Sequence, residues 1–214
     1  MDNSSKYSLP KNYISFSQLR LYLENPREYY EQYFLGKDFM AEMRESDLSR
    51  WEKIRLGSIF QEAWWNPLFN WRRALDKDHF TPDKERIIET ALKQKNLLRL
   101  PAKMCEQSYR MDFKDIPLLI KPDGFDPKKK LLIENKFGTP RNQEWADEDL
   151  QISFYSLGIK LKWGFIPKVV CQSVSDKSGS VKAFKTQRKA GDLKHCQELI
   201  KVAVNGIHNK IWEK

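Results

Sequence analysis

Hydrophobic residues recur at two different periods along the chain. In the first hundred residues the spacing is helical, and it begins after Ser15-x-x-Gln18, which has the pattern of a capping box. Asn25-Pro26 then interrupts that helix and starts another, which Gly36 ends. Residues 37–50 are charged and predict a mobile connection. A helix is predicted over residues 51–75, with breaks expected at Gly57 or Pro67. Another is predicted from residue 81 towards 98.

From residue 104 onward the apolar residues alternate, which favours strands. Three consecutive strands are predicted at residues 104–113, 116–120 and 131–133, followed by a helix over 143–160. Strands at 163–174 and 181–185 flank a turn at 178–180, and a helix over 192–212 ends the chain. This order predicts an α/β fold with a mixed central β-sheet flanked by helices, a restriction-endonuclease-like core. We expect an N-terminal helical region (residues 1–100) packed on that core (residues 101–214) in one structural domain.

Composition narrows the class of protein. Of the 214 residues 40% are hydrophobic and 13% aromatic, which is typical of a globular chain. The formal net charge of +9 and pI of about 9.3 favour a polyanionic partner. No apolar run approaches the roughly 20 residues that span a bilayer, and the N-terminus lacks a signal-peptide pattern. We therefore expect a cytoplasmic protein whose partner is nucleic acid and not a membrane. Its isolated cysteines, Cys105, Cys171 and Cys196, predict reduced thiols.

The candidate chemistry lies at residues 122–136. Asp123 follows an apolar strand, and a hairpin turn near residues 127–130 would place it beside Glu134 on the next strand. Strand alternation puts Glu134 and Lys136 on one face. Two carboxylates with a main-chain carbonyl, that of Asn135, suit Mg²⁺ or Mn²⁺, and a lysine beside the metal can orient water or offset phosphate charge. From spacing alone, a surface cluster at strand ends is an alternative interpretation.

Pro122-Asp123 followed by Glu134-x-Lys136 resembles the motif of the PD-(D/E)XK nuclease superfamily. Other segments resemble its RecB-like branch in the expected order: residues 14–19 with 25–30, the glycine-led segment 56–61, and Gln151-x-x-x-Tyr155. The resemblance implies a divalent-metal-dependent deoxyribonuclease with Asp123, Glu134 and Lys136 as its catalytic residues. It also implies that Gln151 and Tyr155 shape a DNA-binding site, where the phenol ring could stack on an unpaired base; a buried structural pair is the alternative.

The chain departs from that branch at two places. Gln61 replaces a histidine that is a metal ligand in many members; its carbonyl is a weaker candidate ligand, or it is an ordinary helix-face residue. Glu106 is a further carboxylate that could reach the metal. Asn25 stands where cluster-bearing relatives have a cysteine, so we expect no iron–sulfur cluster.

The resulting function hypothesis is an exonuclease of DNA recombination or repair, encoded by a bacterium, phage or mobile element, acting on DNA ends or single strands. Basic residues near the last strand, Lys182, Lys185 and Arg188, are candidate phosphate contacts. An oligomer is compatible with the sequence. A catalytically weakened or inactive DNA-binding or scaffold protein of the same fold is the main alternative. A basic interaction protein that docks through its tryptophan-rich helix is another.

Overall fold

Polar capping residues begin several helices of the first hundred residues. In the computed structural model, which describes residues 7–212, Ser15 and Gln18 form the predicted capping box with bonds of 3.4 and 2.8 Å. Asn25 Oδ1 accepts a hydrogen bond from Glu28 N, and Pro26 is the first residue of the next helix. The helices are α1 (Phe16–Glu24), α2 (Pro26–Tyr33), α3 (Phe39–Ser46), α4 (Leu48–Trp65), α5 (Trp71–Lys77) and α6 (Pro82–Leu92).

Residues 37–50 do not form the predicted connection. They form α3 and the first turn of α4, and the aspartates that precede these helices, Asp38 and Asp47, accept hydrogen bonds from the amides of the first turns. α3 buries none of its residues, so it contributes nothing to the core, and its charged residues led to the prediction of a connection. The predicted helix over 51–75 is divided at Pro67, whereas Gly57 lies inside α4 without breaking it.

The strands form two sheets within residues 7–212. One contains β1 (Ile14–Ser15), β3 (Ile116–Ile120) and β2 (Tyr109–Phe113), in that spatial order. The other contains β4 (Gly124–Asp126), β5 (Leu131–Gly138), β6 (Lys168–Ser175) and β7 (Val181–Thr186). β1–β3 and β5–β6 are parallel, and the remaining neighbours are antiparallel, so both sheets are mixed.

The chain leaves the first sheet for the second at residues 121–123. Pro122 has no amide proton to donate to a strand ladder. This explains why the strands predicted to form one sheet are divided between two sheets at this point. The predicted strand at 104–113 is also shorter. Ala102–Met104 is a 3-10 turn and Glu106 has a φ of +54°, so β2 begins only at Tyr109. The alternation of apolar residues that predicted a strand from residue 104 therefore begins before β2 does.

Helices cover both faces of the second sheet. α7 (Gln143–Glu148) and α8 (Leu150–Trp163) connect the parallel strands β5 and β6, and α9 (Ala190–His208) follows β7. One face of β5, through Leu132, belongs to the core cluster that α8 and α9 complete. The other face, through Ile133, packs in the cluster that α4 and α6 supply. β5 is thus buried on both sides, which fixes the direction of every side chain on it.

Gly158 allows α8 to lie close to β3. A Cβ atom at this position would meet Ile120 Cγ2 at 2.7 Å and Cδ1 at 3.1 Å, and Ile120 is fully buried. We expect Gly158→Ala to lower the free energy of unfolding by about 1–3 kcal/mol, because a packed core has no room for another methyl group. Gly191→Ala in α9, where nothing lies within 4 Å, is the control and should be neutral or slightly stabilising. Chemical denaturation measures both, and equal effects would contradict close packing at Gly158.

Candidate active site

Side chains from α4, β5, α8 and the link before β4 surround one cavity of about 420 Å³. Its lining includes Gln61, Asp123, Glu134, Lys136 and Gln151, all of which the sequence singled out. The cavity walls also contain residues that the sequence reading did not select, namely Lys53, Ile54, Gly57, Ser58, Phe60 and Phe137.

Asp123 lies beside β5, as the hairpin predicts. β4 pairs with β5 in the register Gly124 to Ile133, and the amide of Asn135 donates to Asp123 Oδ2 at 2.6 Å. The connecting turn is held by Asp126, whose Oδ1 accepts from the amides of Lys128 and Lys129. Because N–H and C=O of one strand residue point to the same edge, the carbonyl of Asn135 also points towards Asp123.

Glu134 is a buried carboxylate, only 1% exposed. Its Oε1 accepts from Lys136 Nζ at 2.8 Å and from Gln151 Nε2 at 2.7 Å. Its Oε2 is buried and has no hydrogen-bond partner among the described residues. An unsatisfied buried carboxylate oxygen is costly, and a bound cation would satisfy it. The donor set at this point (Glu134, Asp123 and the Asn135 carbonyl) consists of oxygen atoms and fits a hard divalent cation.

Burial and neighbouring charges shift the pKa values of Asp123, Glu134 and Lys136. Burial, reinforced by the charge of Glu134, raises the pKa of Asp123 well above its ordinary value. Burial also raises the pKa of Glu134, against the opposing effect of Lys136. For Lys136, burial lowers the pKa, but the neighbouring carboxylates outweigh it and the net shift is upward. Lys136 is therefore an ammonium group at neutral pH, beside two acids that resist being charged together.

Gln151 and Tyr155 lie one turn apart on α8, and Gln151 contacts both Lys136 and Glu134. Gln151 Oε1 accepts from Lys136 Nζ at 2.6 Å, and its Nε2 also donates to the Tyr155 hydroxyl at 3.0 Å. Tyr155 is 7% exposed and its hydroxyl donates to the carbonyl of Lys121 at 3.1 Å. The ring of Tyr155 packs in the core, a placement at odds with the expectation that it stacks on a base, which stays a prediction. Of the two residues, Gln151 lines the cavity.

Gln61 lines the cavity and is hydrogen-bonded to Glu106. Gln61 Nε2 donates to Glu106 Oε1 at 2.8 Å, and Gln61 Oε1 accepts from Asn135 Nδ2 at 3.1 Å. The other Glu106 oxygen lies 2.7 Å from Lys121 Nζ. Within residues 7–212 no group of three or more His, Cys, Asp or Glu side chains is arranged to hold a metal ion. A metal role for Gln61 or Glu106 stays a prediction.

A residue that the sequence reading missed, Gln172 on β6, supports this arrangement. It is fully buried; its Nε2 donates to Asn135 Oδ1 at 2.8 Å and to the Leu98 carbonyl at 3.0 Å, while its Oε1 accepts from Leu98 N. The amides of Gln61, Asn135 and Gln172 thus form a continuous chain. A glutamine inside an apolar strand was the available signal, since a buried carboxamide must find partners.

The basic residues near β7 do not form one surface. Lys182 and Lys185 are exposed, but their odd separation on the strand points them to opposite faces, and their DNA contacts stay a prediction. Arg188 is 3% exposed, and its guanidinium donates to Ser153 Oγ and to the carbonyls of Ala146 and Asp149. The prediction that Arg188 contacts a phosphate is at odds with this placement, because its donors are used inside the protein.

The raised pKa of Asp123 predicts how stability depends on pH. A carboxyl group with a folded-state pKa above its unfolded value stabilises the fold at low pH, and this contribution is lost as pH rises through the folded-state pKa. Asp123→Asn keeps an acceptor for Asn135 N without the charge. In EDTA we expect this variant to unfold above the wild-type temperature at pH 8, by about 2–4 °C for each 1 kcal/mol gained, with a smaller difference at pH 5.

Thermal unfolding of the metal-free protein across that pH range measures the effect. The exposed Asp112 on β2 supplies the control, since Asp112→Asn should show little change at either pH. An Asp123→Asn variant no more stable than wild type at pH 8 would mean that burial and the charge of Glu134 do not raise the pKa of Asp123 in the folded protein.

Among residues 7–212, no helix is long and apolar enough to cross a bilayer. No protein-family model matches the chain, and no curated protein matches its sequence. Its fold is similar to a crystal structure from Eubacterium rectale described as a "Putative exonuclease", with a TM-score of 0.64 over 98% of this chain and 87% of that one. The two sequences are 12% identical, so the likeness is one of fold. It confirms the predicted α/β architecture, with N-terminal helices and mixed β-structure flanked by helices.

Proposed function

We propose that this protein is a Mg²⁺- or Mn²⁺-dependent deoxyribonuclease of the RecB-like type, which hydrolyses phosphodiester bonds as an exonuclease in DNA recombination or repair. The observation that carries the proposal is the buried Glu134 carboxylate, with one oxygen held by Lys136 and Gln151 and the other without a partner among the described residues. The nearby Asp123 supplies the second acid. The fold likeness to a protein described as an exonuclease agrees with this function.

The residues would divide the work as follows. Asp123, Glu134 and the Asn135 carbonyl would hold the cation, which supplies Lewis acidity towards the phosphate and lowers the pKa of a water. Lys136, an ammonium group because its pKa is raised, is a hydrogen-bond donor and not the base that takes the water's proton. It can orient the attacking water and offset phosphate charge. Gln151 fixes Lys136 and Glu134 relative to each other.

Separate measurements of binding and cleavage test these roles. We expect Glu134→Gln and Asp123→Asn to lose Mn²⁺ binding in calorimetry together with cleavage of labelled DNA. Lys136→Ala should keep Mn²⁺ binding but reduce the cleavage rate by about 10²–10³-fold, as expected for an electrostatic stabiliser. Lys160→Ala, an exposed lysine on α8, is the matched control and should cleave normally. Cleavage that survives at Asp123, Glu134 and Lys136 alike would overturn the assignment, and cutting of closed circular DNA would argue against an exonuclease.

A second candidate function is favoured by Gln61, which stands where many RecB-like members have a histidine ligand and whose carboxamide oxygen accepts from Asn135 Nδ2 at 3.1 Å. A protein lacking the family's histidine ligand could bind DNA without cutting it. We expect instead that the wild type cleaves and that Gln61→His gains no activity, because an imidazole cannot replace both contacts of the carboxamide. Glu62→His, one residue further round α4, is the control. A wild type that binds but does not cut, together with cleavage gained by Gln61→His alone, would favour the second function.

A further inference from the structure

A second cavity, of about 290 Å³, adjoins the candidate active site. Lys136 and Gln151 line both cavities, so the two cavities meet at these side chains. The walls of the second cavity differ in chemistry from those of the first. They contain two aromatic rings, Phe16 and Trp145, and two exposed arginines, Arg20 and Arg141.

The aromatic walls are held in place from behind. Phe16, at the start of α1, lies against Phe154 and Tyr155 of α8, with ring centroids 6.1 and 6.5 Å apart. Trp145 N, in the first turn of α7, donates to Asn142 Oδ1 at 2.9 Å. Both rings pack on the core while remaining partly exposed to the cavity. Rings fixed in this way can stack on a flat ligand without first being ordered.

The cationic groups stand next to the rings. The Arg141 guanidinium lies over the Trp145 ring, 5.5 Å from its centroid, and the amide of Arg141 donates to Ser173 Oγ at 2.9 Å. The Arg20 side chain is 61% exposed and makes a long ion pair of 3.9 Å with Glu24. Glu24 and Asp149 also line the cavity, so with Lys136 the cations exceed the acids by one. A π surface beside guanidinium groups matches the two parts of a nucleotide, its base and its phosphate.

We propose that this cavity binds one unpaired nucleotide of a DNA strand, its base against Trp145 and its phosphate near Arg141, while the adjoining phosphate lies beside Lys136; this rests on the proposed nuclease function. The cavity is at the small end of the range for small-molecule sites, about 300 to 1,000 Å³, which suits a single nucleotide and not a base pair in a duplex. The substrate class is therefore a single strand, or an end at which the strands have separated.

Binding in EDTA, where DNA is not cut, tests the cavity apart from the chemistry. Trp145→Leu keeps an apolar side chain but loses the ring; we expect it to weaken binding of a single-stranded oligodeoxynucleotide by about 5- to 150-fold, and binding of a blunt duplex far less. Trp145→Tyr should restore most of the affinity. Trp71→Leu, a partly exposed tryptophan that does not line either cavity, should bind as wild type does. Arg141→Gln should reduce the salt dependence by roughly one phosphate contact, about 0.7 in log–log slope.

An oligonucleotide with one abasic site, moved along the strand, identifies the stacked base. At one position the loss caused by Trp145→Leu should vanish, because the base it contacts is missing. Unchanged single-strand affinity in Trp145→Leu, or an equal loss for duplex and single strand, would overturn the proposal. If the wild type also cleaves DNA normally, either of those results would contradict nucleotide binding in the cavity and leave the proposed nuclease function standing. A Trp145-dependent affinity in a protein that never cuts DNA would instead remove the nuclease function and keep the binding site.

Discussion

The enclosure of two acidic groups at one edge of β5 is the constraint on which the site depends. Glu134 is buried and Asp123 is bound to the β5 backbone, so neither can turn away from the other. Burial raises the pKa of both, and a single ammonium group, Lys136, lies 2.8 Å from one oxygen. Burying these charged groups lowers the stability of the fold. Such buried charge is common at catalytic sites and uncommon in clusters of surface residues.

The surrounding structure explains how that arrangement is held. β5 is packed on both faces, by α8 and α9 on one side and by α4 and α6 on the other, so its alternation is fixed. On the first face Gln151 binds both Glu134 and Lys136. On the second face the amides of Asn135 and Gln172 fix the strand to the segment at Leu98. Glu134 and Lys136 therefore lie on one face of β5, and the contacts on the opposite face hold the strand in place.

Much of this could be predicted because it depends on short-range patterns. The hairpin between Asp123 and Glu134 needs only a turn and period-two alternation, whereas Gln151 was selected through the resemblance to the RecB-like branch. The amide chain could not be predicted, since Gln61, Asn135 and Gln172 meet only through long-range packing. Arginine is usually a surface residue, and only the fold shows that the guanidinium of Arg188 donates to partners in the protein interior. α3 was missed because its few apolar residues, Phe39, Met40 and Met43, lie among charged residues, and none of them is buried in the core.

Gln61 connects the departure from the RecB-like pattern with the internal network. A carboxamide has a donor and an acceptor at the two tips of one fork, and here Glu106 requires the donor while the Asn135 side chain requires the acceptor. A neutral histidine has one donor and one acceptor on opposite sides of a rigid ring, so it cannot make both contacts in the same place. The amide chain through Gln172 and the glutamine at position 61 therefore belong together, and the site is adapted to Gln61 and does not merely lack a histidine.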